Sequence, residues 1–275
     1  MFRVNQIIKK FYLFVFLILI VLGVFLFFEI KLYKPGFYVF DIGQGDAILI
    51  KTLNGHNILI DGGPDNKVIY KLGEYLPYTN RQIDLIVLTH PHADHVVGLV
   101  EVLKRFNVKQ IILTGVNYNL VDYKIFQELI LSKNIFYQIA DRPGILNLSN
   151  NSKLIILYPD HDFLNQNVDN LNNTSIVIKL INNNISILLM GDFENEEKLV
   201  CVYDLNSDIL KVGHHGSITA NSLDFLKAVS PKQAIISCGV DNRFNHPDFE
   251  ALENIQNIES DIWRTDQNGD FYFPF

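Results

Sequence analysis

An α/β (α+β) architecture is expected for this chain: two stacked mixed sheets with helices on their outer faces, behind one long apolar helix. Three observations lead there. Apolar runs of strand length fall into two hairpin-rich groups with helical segments between them. Acidic residues and histidines recur directly after those runs, as they do where strand ends line one edge of an α/β sheet. An unbroken apolar stretch, Phe11 to Phe28, precedes both groups. The 275 residues are 48% hydrophobic and only 19% charged, a balance that buries one sizeable core and excludes a disordered chain.

The amino terminus divides simply. Residues 1–10 read as a short cytoplasmic segment, 11–30 as a transmembrane anchor and 36–275 as one domain. Phe11 to Phe28 lies near the lower end of the ~17–25 residues that a membrane helix needs, and Ile30 extends it past Glu29. A retained anchor is expected over a cleaved signal peptide, because no small-residue cleavage site follows Phe27-Phe28-Glu29-Ile30. Arg3, Lys9 and Lys10 precede the run, while Lys31 and Lys34, offset by Glu29, follow it. The positive-inside rule then gives a single-pass protein of the cell membrane with its large domain extracytoplasmic. Beyond residue 35 the chain carries 18 basic and 29 acidic residues, a net −11. That is the wrong sign for a broad basic face that holds nucleic acid, and bound divalent cations would reverse it only locally. Cys201 and Cys238 each stand in apolar sequence and are expected as buried free thiols.

After the anchor, Phe37 to Asp41 reads as a strand and Ile42-Gly43-Gln44-Gly45 as a turn. Asp46 to Lys51 and Asn57 to Ile60 form a hairpin around Asn54-Gly55. Asp61-Gly62-Gly63 closes that strand, and Lys67 to Leu76 is helical up to Pro77. Ile83 to Leu88 is a buried strand and Val97 to Phe106 a helix. Gln110 to Leu113 (strand), Tyr123 to Leu131 (helix), Ile135 to Ile139 and Lys153 to Tyr158 (strands) follow. The polar segment Asp160 to Asn173 is long for a structureless connection, which favours a functional loop. A second hairpin, Ser175 to Ile181 and Ile185 to Met190, leads into Gly191-Asp192-Phe193-Glu194. Then come a helix from Glu196 to Tyr203, a strand from Asp208 to Val212 ending in Gly213-His214-His215-Gly216-Ser217, and a helix from Ala220 to Val229. Gln233 to Cys238 (strand), Asn242 to Asp248 (loop), Phe249 to Asn257 (helix) and a closing pair of strands around Gln267-Asn268-Gly269 complete the chain.

One cluster dominates the chemistry. Thr89-His90-Pro91-His92-Ala93-Asp94-His95 holds three of only eight histidines, at a strand-to-helix crossover. Neutral imidazoles with a carboxylate suit a borderline cation such as Zn²⁺ or Mn²⁺. His90 and His92, two apart in extended chain, point the same way and grip one ion; Asp94 and His95 at the following turn face a second.

With Phe40-Asp41-Ile42-Gly43-Gln44-Gly45-Asp46-Ala47, Leu59 to Gly63, Asn172 to Ser175, Leu189 to Asp192, Leu210 to Ser217 and Asn245-His246-Pro247, this signature resembles the metallo-β-lactamase superfamily. Within it, the chain is similar to the hydrolase domain of ComEC-type competence proteins, over about residues 36 to 275, as a stand-alone relative on a single anchor. The resemblance implies a four-layer αββα sandwich with two divalent metal ions, Zn or Mn. His90 and His92 would hold metal one and Asp94 and His95 metal two, with Asp192 bridging and one of His214 and His215, His215 by preference, completing metal two. Asp61 would orient the histidines; Asn173 and Ser217 would support them from behind. Where many superfamily members place a further histidine on metal one, this chain has Asn172-Asn173-Thr174-Ser175, as ComEC-type members do, which implies a more exchangeable first metal. His161 in the long loop is a weak candidate substitute.

Two cations ~3.5–4 Å apart acidify a shared water and neutralise attacking and leaving oxygens. Asp94, His214 and His246 are the expected catalytic residues, the histidines contacting the substrate oxyanion or leaving group. No Gly-x-Ser-x-Gly elbow activates Ser175 or Ser217. Asp41, Gln44 and Asp46 read first as turn formers and second as supports behind the ligands. The expected function is a membrane-anchored phosphodiesterase or nuclease, with single-stranded DNA as the substrate and a DNA-uptake apparatus as the partner that the resemblance implies. Hydrolysis of a small phosphoester or lactone is the alternative, as is a weakly active binding subunit of such an apparatus.

Overall fold

The computed structural model describes residues 2–32, 34–77, 79–149 and 151–275. The side chains of Arg3, Glu29, Ile30 and Lys31 lie outside the described residues, and with them half of the charges compared across the apolar run. Helix α1 (Phe2–Leu32) contains Ile8–Phe27, 20 residues of mean hydropathy 2.7 with none of the span buried. It is long and apolar enough to cross a membrane.

The first half of the domain runs β1 (Gly36–Val39), β2 (Ile48–Lys51), β3 (Asn57–Ile60), α2 (Lys67–Tyr75), β4 (Gln82–Ile83), β5 (Leu85–Val87), α3 (Ala93–Arg105), β6 (Asn107–Val108), β7 (Gln110–Leu113), α4 (Val121–Ser132) and β8 (Phe136–Ile139). The second half runs β9 (Gly144–Ser149), β10 (Ser152–Tyr158), β11 (Val177–Asn182), β12 (Ile185–Leu189), α5 (Glu197–Val200), β13 (Ile209–Lys211), α6 (Leu223–Val229), β14 (Gln233–Ile236), α7 (Phe249–Asn257), β15 (Asp261–Arg264), α8 (Thr265–Asn268) and β16 (Phe271–Pro274). One sheet has the order β16-β1-β2-β3-β5-β7-β8 and the other β15-β14-β13-β12-β11-β10-β9; β4 and β6 form a separate short pair.

Strand alternation explains the layers. In β1, Phe37 and Val39 face the second sheet while Tyr38 packs under the helices; in β12, Ile187 and Leu189 face the first sheet while Leu188 turns outward. Every strand near the centre therefore has two apolar faces, and both are covered. The inner core lies between the sheets. Two outer cores lie under α2, α3 and α4 on one side, and under α5, α6 and α7 on the other. The architecture is the four-layer αββα sandwich.

Parallel pairing positions the site. β3, β5 and β7 run parallel in one sheet, and β12, β13 and β14 in the other. Their carboxyl ends share an edge, so residues that follow six strands meet there.

Several boundaries differ from the sequence reading. Helix α3 begins at Ala93 with His92 as its cap, so Asp94 and His95 occupy its first turn. Strand β9 went unread because only alternate residues of this edge strand are half-buried. The closing strands are not a hairpin. β15 joins the second sheet beside β14, whereas β16 crosses to the first and pairs with β1; the helical turn α8 between them makes the crossing. Cys238 is buried as expected, but Cys201 is exposed, because it follows the short α5 on its outer surface.

Candidate metal centre

The loop after β3 supplies the anchor of the site. Asp61 takes a left-handed backbone (φ 59°), and its amide donates to Val87 O at 2.9 Å, which ties it to the end of β5. One carboxylate oxygen accepts the Thr89 amide at 2.8 Å; the other accepts the Thr89 hydroxyl at 2.7 Å and His95 Nδ1 at 2.8 Å. The Thr89 hydroxyl, its proton spent on Asp61, stands 3.1 Å from His90 Nδ1 and accepts from it. His215 Nδ1 donates to Ser237 O at 3.0 Å. Each of these three imidazoles thus commits Nδ1 to the protein and presents Nε2 inward, the arrangement that fixes a metal-binding tautomer.

The inward nitrogens converge on Asp192, at the exit of β12. Its Oδ2 lies 3.3 Å from His95 Nε2, 3.5 Å from His215 Nε2 and 3.7 Å from His90 Nε2. Asp94 Oδ2 is 3.4 Å from His215 Nε2, and His92 Nδ1 is 3.0 Å from His90 Nε2. Of three groups of possible donors, one (Asp46, Asp61 and His95) lies behind the ring nitrogens, and two face inward: Asp94, His95, Asp192 and His215 in one and His90, His92 and Asp192 in the other. Asp192 belongs to both inward groups.

These residues fit a cation pair. His95 Nε2, His215 Nε2 and Asp192 Oδ1 are buried and have no hydrogen-bond partner among the described residues. Buried polar atoms are rarely left so. Donor separations of 3.3–3.5 Å also match the edge of a tetrahedron around an ion bound at ~2.0–2.1 Å.

The charges agree. Burial, then the neighbouring His95, holds His90 well below its ordinary pKa, and the same causes lower His92, which favours the neutral imidazoles a metal would need. Burial opposes ionisation of Asp192, but His215 and His95 outweigh it and its carboxyl lies well below the usual range. Burial likewise opposes protonation of His95 and His215, yet the Asp192 carboxylate raises both well above normal.

The structure divides the 214–215 pair. Both residues have positive φ (46° and 55°), the left-handed region, and their rings stand 6.2 Å apart at 66° to one another. His215 is buried among the ligands. His214 stands outside both groups, half-turned to the cavity, with Nδ1 3.0 Å from Glu194 Oε1 and Nε2 3.9 Å from Asp192 Oδ2. His246 lines the same 290 Å³ cavity, its ring 5.4 Å from that of His214 and its Nδ1 buried without a hydrogen-bond partner among the described residues. Asn173 Oδ1 accepts the Glu194 and Asn195 amides at 3.1 Å and so shapes the segment after Asp192, while Ser217 Oγ meets Thr219 Oγ1 at 3.0 Å. Ser175 Oγ accepts the Asp192 amide at 3.2 Å. His161 pairs with Asp160 at 2.6 Å and belongs to neither donor group.

Two features, Glu194 and Asn221, carry no site reading in the sequence, and for a third, Asp46, the less favoured of two readings holds. Asp46 is no turn former: fully buried, it pairs with the equally buried Lys211 at 2.8 Å and lies 3.5 Å from His215 Nδ1. The signal was a lysine inside the buried run Ile209-Leu210-Lys211-Val212. Glu194 braces His214, and its carboxyl falls to about 2, first through His214 and against the cost of burial. Asn221, fully buried, donates to Gly213 O at 3.0 Å and Ser217 O at 2.8 Å and clamps the strained histidine loop.

Residues 40–240 match the family described as the Metallo-beta-lactamase superfamily. The chain is 28% identical over 256 residues to ComE operon protein 3 of Bacillus subtilis (strain 168), a match covering 86% of this chain and 32% of that protein. It is 32% identical over 248 residues to Competence protein ComA of Neisseria gonorrhoeae, covering 86% and 31%. The chain therefore spans about a third of the length of these curated relatives. Among solved structures, the metallo-beta-lactamase fold protein YhfI from Bacillus subtilis superposes with a TM-score of 0.57 at 12% identity, over 87% of this chain and 100% of that one, which shows a shared fold.

Proposed function

The chain belongs to the metallo-beta-lactamase superfamily, and from that premise we propose that it is a membrane-anchored, metal-dependent phosphodiesterase acting on single-stranded DNA. The observation that carries this reading is the Asp192 carboxylate common to two donor groups. His90, His92 and Asp192 would hold one divalent cation, and Asp94, His95, His215 and Asp192 the other. A Zn²⁺ or Mn²⁺ pair bound there supplies Lewis acidity and water acidified toward neutrality. The remaining work falls to the chain. Asp61 and Ser237 O keep three imidazoles in the ligand tautomer. Burial keeps bulk water from the nitrogens of His90, His95 and His215. His214 and His246 line the cavity outside the donor groups, where they would supply a proton to a leaving oxygen.

The competence names of the relatives support a nucleic-acid substrate and association with a DNA-uptake apparatus. The apolar helix Ile8–Phe27 supports a single-pass anchor, and the basic residues before it support an extracytoplasmic domain. The net −11 beyond residue 35 favours a second reading, hydrolysis of a small phosphoester, since a long polyanion is repelled by most of this surface.

The test uses the full chain in detergent, stripped by chelator, with Mn²⁺ or Zn²⁺ then added back. Cleavage of both a single-stranded oligonucleotide and bis-(p-nitrophenyl) phosphate is expected. Turnover of the small ester alone establishes the second reading, and metal uptake without turnover of either refutes a hydrolase.

A further inference from the structure

Tyr118 separates two cavities. On one side is the 290 Å³ cavity over the donor groups; on the other is a cavity of 410 Å³ that also counts Tyr118 in its wall. The second cavity is lined by Asn117, Asn119, Lys124, Gln127 and Asn167, together with apolar side chains, and includes no carboxylate. In a chain of net charge −7 that makes it a local refuge for an anion. Lys124 Nζ meets only the amide oxygen of Asn119, at 2.7 Å, and is exposed, so its charge is unneutralised among the described residues. The Tyr118 ring is 36% exposed and packs edge-to-face against His92 at 5.7 Å, which sets its position relative to the ligands. An aromatic ring at the junction, a cation beyond it and amides that match base edges are the parts of a single-strand binding groove.

We propose that this second cavity binds the nucleotide next to the scissile linkage of a single-stranded nucleic acid, with Tyr118 stacking on a base and Lys124 pairing with a phosphate. The proposal rests on the phosphodiesterase reading and extends it to how the strand is held. A duplex cannot present an unstacked base to Tyr118, so the subsite selects single strands. In the lining of the first cavity Arg243 lies over the Phe244 ring at 4.6 Å, and Phe244 stacks on His246 at 5.7 Å. A second cation and ring thus belong to that lining.

The test is fluorescence anisotropy of a labelled oligothymidylate on the full chain in detergent, kept in chelator so that nothing is cut. Tyr118→Ala and Lys124→Glu are each expected to weaken binding about tenfold. Tyr118→Trp retains affinity, and Lys124→Glu lowers the slope of log affinity against log salt by about one. Both positions are solvent-accessible, and thermal unfolding of each variant verifies the fold. Binding within twofold of the parent for both Ala and Glu variants overturns the proposal, as does equal affinity for duplex. Strand binding weakened by these variants, without cleavage once Mn²⁺ is restored, upholds the subsite and removes the phosphodiesterase reading. Cleavage with unaltered binding does the reverse.

Discussion

Asp192 carries one carboxylate between two sets of imidazoles, and replacing it tests the centre directly. Asp192→Asn keeps the shape and removes the charge that His95 and His215 share. Metal analysis of the purified variant should show loss of bound ion together with loss of diester turnover; full metal content would refute the shared role. Asp61→Asn acts one shell out, on the tautomer of His95 and the seat of Thr89. A metal-binding titration should register a ~10–100-fold weaker affinity, and an unaltered affinity would count against it. Because His95 and His215 hold protons in the metal-free protein, binding must release them. Metal affinity should therefore rise with pH through neutrality, and calorimetry in buffers of different ionisation enthalpy should register the released protons. Lys211→Met leaves Asp46 buried without its partner. Urea unfolding should show a loss of about 3–5 kcal/mol, largely recovered when Asp46→Leu is added.

Helix α3 is seated by glycines. A Cβ on Gly98 would collide with the Gly62 carbonyl, and the amides of Gly62 and Gly98 donate to His95 O at 2.8 Å and Gly63 O at 2.9 Å. Backbone contact this close fixes where Asp94 and His95 point. Gly98→Ala should push α3 outward, costing ~1–3 kcal/mol in urea unfolding and spreading the donor atoms enough to lower metal affinity. A variant with parental stability and affinity would show that the helix tolerates displacement. Elements of this kind were legible where patterns are strong: Asn54-Gly55 marked the β2–β3 hairpin, and the apolar run marked β5. The turn before α3 misled because Pro91 and the polar cluster hid a helix that starts directly at Ala93. Nothing local distinguished β15 and β16 from a hairpin, since the sheet each one joins is set by partners far away in sequence.

For the molecule entire, an acidic surface surrounds a centre that gathers its own carboxylates. Asp46 has a folded pKa of about 2 against an ordinary 3.8, lowered by Lys211 and His215 in spite of burial. A depressed carboxyl adds stability above its unfolded pKa and loses it as pH falls through the folded one. The metal-free chain should thus lose ~2 kcal/mol from this group between about pH 4 and about pH 2, with Asp94 and Asp192 acting in the same direction. Urea unfolding at descending pH checks this; stability that falls already between about pH 7 and about pH 5 would point to other groups. Short-range chemistry wrote the layers, the apolar helix and the donor types into the chain, because side-chain period and residue type need no partner to be read. Folding alone seated His215 rather than His214 in a group of possible metal donors, paired Lys211 with Asp46 and placed Tyr118 in the walls of two cavities. Those outcomes depend on left-handed backbone at two histidines and on parallel strands whose ends meet across more than a hundred residues of sequence.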